Sequence, residues 1–128
     1  MVFYLASQYA RRDELRVYAQ LLTDAGHTVT SRWLLDTNSL TVCVKDLAED
    51  DLSFMAVRDI EDIDKAEALV AFSEAPEVAT KRGARHVEFG YAIAKKMSIF
   101  VVGPRENVFH FLPVVKRHDD INSLINSL

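Results

Sequence analysis

The sequence contains few of the residues that build disulfides, metal sites or membrane spans. Cys43 is the only cysteine among the 128 residues, which excludes an internal disulfide and a metal site made from several cysteines. No stretch approaches the roughly 20 consecutive apolar residues of a membrane span, and the first residues lack the positively charged lead-in of a signal peptide. We therefore expect a cytoplasmic protein with no membrane partner.

An excess of charge of one sign is also missing. The 15 lysines and arginines and the 19 acids are interspersed, with a net charge of −4, so the chain has no broad basic surface for a nucleic-acid backbone. With only four glycines, Gly83 and Gly90 have neither the spacing nor the following lysine of a phosphate-binding loop. Since 49% of residues are hydrophobic, residues 1–128 suffice for one domain with its own core, and a small molecule is the expected ligand.

Short apolar segments without polar alternation predict strands that are covered on both faces, as in a parallel sheet. A further segment, His27 to Trp33, is rich in β-branched residues and predicts another strand. Phe109 to Val115 is the candidate for a last strand. The buried strands are predicted at Val2 to Leu5, Ala68 to Phe72, and Ile99 to Val102.

Helical patterns separate these strands. Helices are predicted from about Arg12 to Ala25, from Asp50 or Asp51, from Gly83 and Ala84 to about Lys96, and from Asp119 onward. The segment Thr37 to Val44 is compatible with a loop or a further short strand. The alternation predicts a single-domain α/β fold, a doubly wound, Rossmann-like or flavodoxin-like three-layer sandwich with a mainly parallel sheet of about five strands.

Two carboxylates fall on the apolar sides of consecutive helices. Glu88 projects between Ala84 and Tyr91, and Asp59 projects into the apolar stripe of the preceding helix. The helix N-terminus is expected to keep Glu88 ionised, which makes it a candidate nucleophile. A pair of acids is typical of glycosidic chemistry. A single such acid could equally pair with an arginine or a backbone N–H.

The position of a ligand follows from the fold class. In open α/β sheets, ligands bind beyond the carboxyl ends of the strands, which correspond here to Ser7–Arg12, Ser73–Arg82 and Gly103–Asn107. Trp33 could stack on a nucleobase, although a role in the core or an interface is commoner. Gly90 could allow a close approach of substrate, or it could serve helix packing against the sheet. The four histidines have no metal-ligand spacing.

Three motifs in this order resemble the nucleoside 2-deoxyribosyltransferases and their relatives, the 2′-deoxynucleoside 5′-monophosphate N-glycosidases. Together they cover most of the chain. They are Tyr4-Leu5-Ala6-Ser7, then Arg58-Asp59-Ile60 followed by Ile63-Asp64-Lys65-Ala66-Glu67-Ala68 and Leu69-Val70-Ala71-Phe72, then Gly83 leading into Val87-Glu88-Phe89-Gly90-Tyr91-Ala92.

The resemblance implies a role for each acid. Glu88 matches the nucleophile, which forms a covalent deoxyribosyl intermediate, Tyr4 matches the tyrosine that orients it, and Asp59 matches the aspartate that assists the leaving base. It further implies a nucleoside or nucleotide and a free nucleobase as substrates, no cofactor or metal, and a homodimer or higher homo-oligomer.

The loop before the Glu88 helix departs from the transferase pattern, which usually has an acid pair there. This chain has Lys81, Arg82, Arg85 and His86 instead. Together with Arg11 and Arg12, they could bind a 5′-phosphate and favour a nucleotide over a nucleoside. Most basic loop residues are simply solvated, so only one or two of these are expected as ligands. The other predicted substrate-binding residues are Ser7, Ser73, Gly83 and Asn107.

Three functions remain open from the sequence. Transfer of a deoxyribosyl group between bases is the first, and hydrolysis of a deoxynucleoside monophosphate is the second. The third is a catalytically silent nucleotide-binding module, since a fold does not guarantee activity.

Overall fold

A computed structural model describes residues 1–38, 44–77 and 83–128. Its centre is a five-stranded sheet in which every paired strand is parallel, in the order β2-β1-β3-β4-β5. This confirms the predicted doubly wound, flavodoxin-like α/β class. The strands are β1 (Val2–Ala6), β2 (Thr28–Val29), β3 (Ala68–Phe72), β4 (Ser98–Val102) and β5 (Val115–His118).

Helices connect the strands and flank the sheet. The α-helices are α1 (Arg12–Asp24), α2 (Glu49–Asp64), α3 (Ala84–Ala94) and α4 (Ile121–Ser127). Short 3₁₀ turns lie at Tyr9–Arg11, Arg32–Leu35, Val44–Asp46 and Val108–Phe111. Among the described residues, no helix is both long and apolar enough to span a membrane.

The pleat of the sheet sends α1 and α3 to opposite faces. Tyr4 of β1 lies in register with Leu69 of β3, and its hydroxyl meets a side chain of α3. Phe72 of β3 is an odd number of residues from Leu69, so it points to the other face. There its ring stacks on that of Tyr18 in α1, with centroids 5.3 Å apart. Side chains on one face of the sheet therefore contact α3, and those on the other face contact α1.

All five residues of β3 are buried, as an unbroken apolar run predicts for a central strand. Burying each of its larger side chains stabilises the fold by about 1.5–3 kcal/mol. The strands at the two edges of the sheet are shorter or more polar. The core thus lies under β1, β3 and β4, whose carboxyl ends are where a ligand was predicted to bind.

The prediction of a strand from His27 to Trp33 was wrong beyond Val29. Two side chains form the hydrogen bonds to the β1 backbone that a longer β2 would have formed. Ser31 Oγ accepts a hydrogen bond from the Leu5 amide at 2.7 Å, and Trp33 Nε1 donates to the Leu5 carbonyl at 3.0 Å. Because β1 is satisfied in this way, the chain can leave the sheet and form the 3₁₀ turn at Arg32–Leu35.

The last strand was also misplaced, since Val108–Phe111 is a 3₁₀ turn and the strand is Val115–His118. The Asn107 side chain caps that turn by accepting from the Phe109 amide at 2.9 Å. The strand is polar because it lies at the edge of the sheet, where charged side chains are the rule, and so its sequence has no apolar run.

Two helix starts differ by one or two residues from the prediction. Ala48 precedes α2, so Asp50 and Asp51 lie inside its first turn, where negative charge favours the helix dipole. Asp120, rather than Asp119, caps α4 by accepting from the Ser123 amide at 2.7 Å. Part of the ambiguous segment Thr37 to Val44 lies outside the described residues.

Gly103 closes β4 in a conformation that a side chain would strain. Its φ is +114°, and a Cβ there would lie 2.7 Å from Ser73 Oγ. Gly26, which ends α1 with a φ of +93°, has no atom within 4 Å of such a Cβ.

We expect G103A to lower the free energy of unfolding by roughly 2–4 kcal/mol, since overpacking adds to backbone strain. G26A should lose only about 1–2 kcal/mol. Urea denaturation measures both, and equal losses would contradict a steric conflict with Ser73.

Candidate active site

The Glu88 carboxylate of α3 meets the Tyr4 hydroxyl of β1. Tyr4 is fully buried in mid-strand, and its hydroxyl donates a hydrogen bond to Glu88 Oε2. Glu88 lies in the second turn of α3 and is half-buried. The predicted pairing of these two residues is therefore present in the structure, and the hydroxyl fixes which way the carboxylate faces.

Burial dominates the charge state of both partners. It raises the pKa of Glu88 to about 8, against the opposing effect of the Tyr4 hydrogen bond, and the nearby charge of Asp59 raises it further. The expectation that the helix N-terminus keeps Glu88 ionised was therefore wrong, because desolvation outweighs it. Burial, Glu88 and Asp59 together raise the pKa of Tyr4 far above its ordinary value. Tyr4 stays protonated and remains a donor.

Asp59 contributes a second carboxylate from α2. Its side chain is 27% exposed, and Arg58 lies against it with Nη2 3.2 Å from Oδ1. Burial raises the pKa of Asp59 to about 6, Arg58 lowers it, and Asp36 and Asp62 raise it again. Since the charge of Asp59 also affects both Glu88 and Tyr4, the three predicted catalytic groups form one electrostatic cluster.

Two of the predicted phosphate ligands are already paired with acids. Arg11 contacts Glu14 at 2.5 Å and Glu74 at 3.1 Å. Arg85 is buried and forms a two-pronged ion pair with Glu106, with Nη2 and Oε2 2.8 Å apart. These arginines join chain segments in the described structure, and their charge is largely neutralised there.

Arg12 has a different environment. It is only 4% exposed, its guanidinium carbon lies 4.5 Å from the centre of the Tyr9 ring, and Nη2 donates to the Asn38 carbonyl at 2.5 Å. Its Nε and Nη1 have no hydrogen-bond partner among the described residues. Lys81 and Arg82, the remaining predicted cations of the loop, lie outside the described residues.

The other predicted ligands occupy loop ends. Ser73 is buried and donates to the Pro104 carbonyl at 2.5 Å, while Ser7 donates to the Gln8 carbonyl at 2.8 Å. The Asn107 side chain is used as a helix cap. Gly83 precedes α3 and is exposed. The Ser7 and Asn107 side chains make local contacts, whereas Ser73 joins the loops after β3 and β4.

His86 and Gly90 lie on α3 beside Glu88. Burial and the charge of Arg85 lower the pKa of His86, against a smaller opposing effect of Glu106, so the imidazole is neutral at pH 7. Gly90 is exposed, and a Cβ there would meet no atom within 4 Å. Packing against the sheet is therefore not what Gly90 provides. Trp33 is 5% exposed with its indole N–H satisfied by β1, so it belongs to the core.

Sequence reasoning missed the residues that hold the cluster. The Glu106 carboxylate forms an ion pair with Arg85 and accepts a hydrogen bond from the Glu74 amide at 3.2 Å. It therefore connects the loops after β3 and β4 to the start of α3. The Asp36 carboxylate forms an ion pair with Arg58, with Oδ1 and Nη1 2.7 Å apart. Only Arg58 had a visible signal, as the neighbour of Asp59 in one motif. A loop acid that accepts from a distant arginine leaves no local pattern.

A cavity of about 320 Å³ opens beside α2. Asp36 and Arg58 line it together with Asn38, Phe54 and Met55. It thus combines an apolar wall with a charged pair, as ligand pockets commonly do. In the described ranges, no three His, Cys, Asp or Glu side chains converge as a metal site would require.

The hydrogen bond from Tyr4 should be measurable as a pKa change. In Y4F the carboxylate loses a donor that favours its ionised form, so we expect the pKa of Glu88 to rise by about one to two units. A ¹³C NMR titration of the Glu88 carboxyl carbon measures it. Y91F is the matched control, because Tyr91 of the same helix donates instead to Asp64 at 2.7 Å and should leave Glu88 unchanged. A Y4F titration that superimposes on the wild type would refute the contact.

Comparisons with known proteins agree on the fold. No family model matches the sequence, and no curated protein matches it. Among solved structures, the chain is similar to a 2-deoxyribosyltransferase from the psychrotolerant bacterium Bacillus psychrosaccharolyticus. That match has a TM-score of 0.75 and 20% identity, covering 98% of this chain and 91% of the other.

Two further solved structures are similar over almost the whole chain. The CMP N-glycosidase of Clostridium botulinum has a TM-score of 0.59 and 15% identity, covering 99% of this chain and 97% of the other. A conserved protein from Enterococcus faecalis V583 has a TM-score of 0.60 and 14% identity, covering 98% and 95%. The chain therefore has a nucleoside 2-deoxyribosyltransferase-like fold.

Proposed function

We propose that the protein breaks the N-glycosidic bond of a 2′-deoxynucleoside and transfers the deoxyribosyl group to another nucleobase, with Glu88 as nucleophile. The observation that carries the proposal is the Tyr4 hydroxyl on the Glu88 carboxylate, with Asp59 close enough to affect both. An oriented, partly desolvated carboxylate beside a second acid is what a retaining glycosyl transfer requires.

In the first half-reaction, a Glu88 oxygen attacks C1′ of the sugar. The C1′–N bond breaks, its electron pair leaves with the nucleobase, and the Asp59 carboxyl gives the base its proton. The product is a deoxyribosyl ester of Glu88 with inverted configuration at C1′. Tyr4 orients the attacking carboxylate and keeps its own proton throughout.

In the second half-reaction, a nitrogen of a new base attacks C1′ from the opposite face. The ester C1′–O bond breaks, the electron pair returns to the Glu88 carboxylate, and the proton of the incoming base passes to Asp59. Two inversions restore the original configuration. Water in place of the base would give hydrolysis by the same steps.

The raised pKa values make the reactive protonation state, with Glu88 ionised and Asp59 protonated, a minor one that is most populated between about pH 6 and pH 8. With a pKa of about 8, about one Glu88 in ten is ionised at pH 7. The desolvated carboxylate gains a partner when positive charge develops on the sugar, so the transition state is stabilised more than the ground state. Since Glu88 must be ionised and Asp59 protonated, activity should rise and then fall with pH, with apparent values shared by the coupled pair.

The paired arginines support a nucleoside rather than a nucleotide. The basic loop was the feature of the sequence that favoured a 5′-phosphate, but Arg11 and Arg85 are held by acids. A phosphate would have to displace Glu74 or Glu106 from them. The 2-deoxyribosyltransferase that shares this fold supports the same choice.

Hydrolysis of a nucleoside 5′-monophosphate is the second candidate. Arg12 favours it, because two of its buried nitrogens, Nε and Nη1, lack a partner among the described residues and could serve an anion at the start of α1. The CMP N-glycosidase with this fold acts on a nucleotide according to its name. A first-choice transferase and this hydrolase would share Glu88 and differ in what accepts the sugar.

We also expect the protein to assemble with copies of itself. Phe54 and Val57 of α2 and Val87 of α3 are each more than half exposed, and α2 and α3 carry the candidate catalytic acids. Large exposed apolar side chains are typical of interfaces. Sedimentation or light scattering would give the number of subunits.

One assay tests the proposed function. The protein is incubated with 2′-deoxynucleosides, with and without a second free base, and with deoxynucleoside monophosphates, and the products are separated by chromatography. We expect a new nucleoside only when the second base is present. E88A should lower the rate by about 10³-fold or more, because the nucleophile is lost. E49Q is the control, since Glu49 is exposed at the start of α2 and should leave the rate unchanged.

The other outcomes assign the alternatives. Free base released only from monophosphates would replace the transferase by the hydrolase. No turnover of any substrate would leave a binding module and reject both enzymes. An E88A variant with normal turnover would refute Glu88 as the nucleophile.

A further inference from the structure

Arg58 holds two carboxylates that belong to different elements. Its Nη1 and Nη2 contact the two oxygens of Asp36 at 2.7 and 3.2 Å, just after the 3₁₀ turn at Arg32–Leu35. Its Nε donates to Asp59 Oδ1 at 3.2 Å. The arginine side chain is 10% exposed and that of Asp36 is 14% exposed, so the contacts are largely shielded from water. We call this arrangement, Asp36–Arg58–Asp59, the arginine clamp.

The clamp is not the only link between the turn and α2. A second arginine also joins them, since Arg32 of the turn bonds Asp62 of α2 through its backbone amide at 2.9 Å and through Nε at 2.8 Å. Asp62 is almost completely buried and accepts two hydrogen bonds from Arg32, so this pair anchors the turn to α2. Attachment alone therefore does not account for Arg58, because its side chain also contacts the Asp59 carboxylate.

The clamp also lies at the wall of a cavity. Arg58 and Asp36 both line the space of about 320 Å³ beside α2. A planar guanidinium that bonds one carboxylate with two prongs has little freedom to rotate. Its Nε–H then holds the Asp59 carboxylate in one position.

We propose that Arg58 is a positioning residue, which fixes the orientation and the charge state of the Asp59 carboxylate through its anchor on Asp36. The inference rests on the proposed function, in which Asp59 carries the proton for the leaving base. A cation at this distance favours the ionised carboxylate, whereas burial favours the protonated one. Arg58 therefore holds Asp59 between the two states, where it can both give and take a proton.

Several neighbouring charges affect the pKa of Asp59, some raising it and some lowering it. Arg58 lowers its pKa, whereas burial and the neighbouring carboxylates raise it. The titratable groups around Asp59 are Arg58 and Asp62 on α2, Asp36 after the 3₁₀ turn, Glu88 on α3 and Tyr4 on β1.

The test is a ¹³C NMR titration of the Asp59 carboxyl carbon in the whole protein, which needs no activity. In R58Q the cation is lost, so the pKa of Asp59 should rise from about 6 by about one to three units. In D36N a like charge is lost while Arg58 remains, so the pKa should fall. Two changes in one clamp with opposite signs cannot arise from general loosening.

R58K and R32Q separate position from charge and from attachment. Lysine keeps the charge but not the fork, so R58K should shift the pKa less than R58Q while kcat falls roughly 10- to 100-fold with little change in KM. R32Q breaks the other ion pair between the same elements and should shift the Asp59 pKa far less than R58Q. In R58Q, the limb of the pH profile that rises with pH should move up, because the lower of the two pKa values, that of Asp59, sets this limb when Glu88 has a pKa of about 8.

An unchanged Asp59 pKa in R58Q would overturn the proposal. If R58Q does not fold, an Asp59 pKa in D36N that stays constant or rises would overturn it instead. The proposed function fails separately: a wild type that turns over no deoxynucleoside rejects the enzyme, while the titration still decides whether the clamp controls Asp59.

Discussion

The hydrogen bond between the Tyr4 hydroxyl and the Glu88 carboxylate is the contact on which the account of this protein depends. It joins the middle of the first strand to the second turn of α3, two elements whose residues are 84 positions apart in the sequence, so it can form only in the folded chain. It also leaves a carboxyl group in a place where burial raises its pKa to about 8. Because the folded-state pKa is raised, this acid costs stability progressively as the pH rises from about 4.5 to about 8, and such groups are typical of functional sites.

The residues around this contact serve mainly as supports. Glu106 binds Arg85 at the start of α3, and Arg11 binds Glu74 after β3. These pairs connect the carboxyl ends of neighbouring strands, and each places an acid against an arginine that the sequence offered as a phosphate ligand. That neutralisation weakens the case for a phosphate and strengthens the case for a nucleoside, in a fold that serves a 2-deoxyribosyltransferase and a CMP N-glycosidase alike.

Much of the fold followed from the sequence because its signals are local. The apolar runs of β1, β3 and β4 and the glycine after α1 predicted those elements nearly to the residue. The second strand was overextended because Ser31 and Trp33 replace ladder hydrogen bonds with side chains, and β propensity does not report such replacements. The edge strand β5 was misplaced because its charged residues carry no apolar run.

The candidate site divides in the same way. Glu88, Asp59 and Tyr4 could be named from helix projection and from motif resemblance, since each lies within an ordered element. Their charge states could not, because burial and the partners of each carboxyl depend on distant segments. Arg58 illustrates the limit: its neighbour in sequence was evident, but its anchor on Asp36 comes from a loop 22 residues away.

The most direct test of the central claim is to look for the sugar on Glu88. The protein is mixed with a 2′-deoxynucleoside in the absence of a second base, quenched in acid within one turnover, and analysed by intact-protein and peptide mass spectrometry. The account predicts a mass increase of one deoxyribosyl group, located on the peptide of α3 that contains Glu88 and absent from E88Q. Release of base without any adduct, or an adduct on another residue, would contradict it.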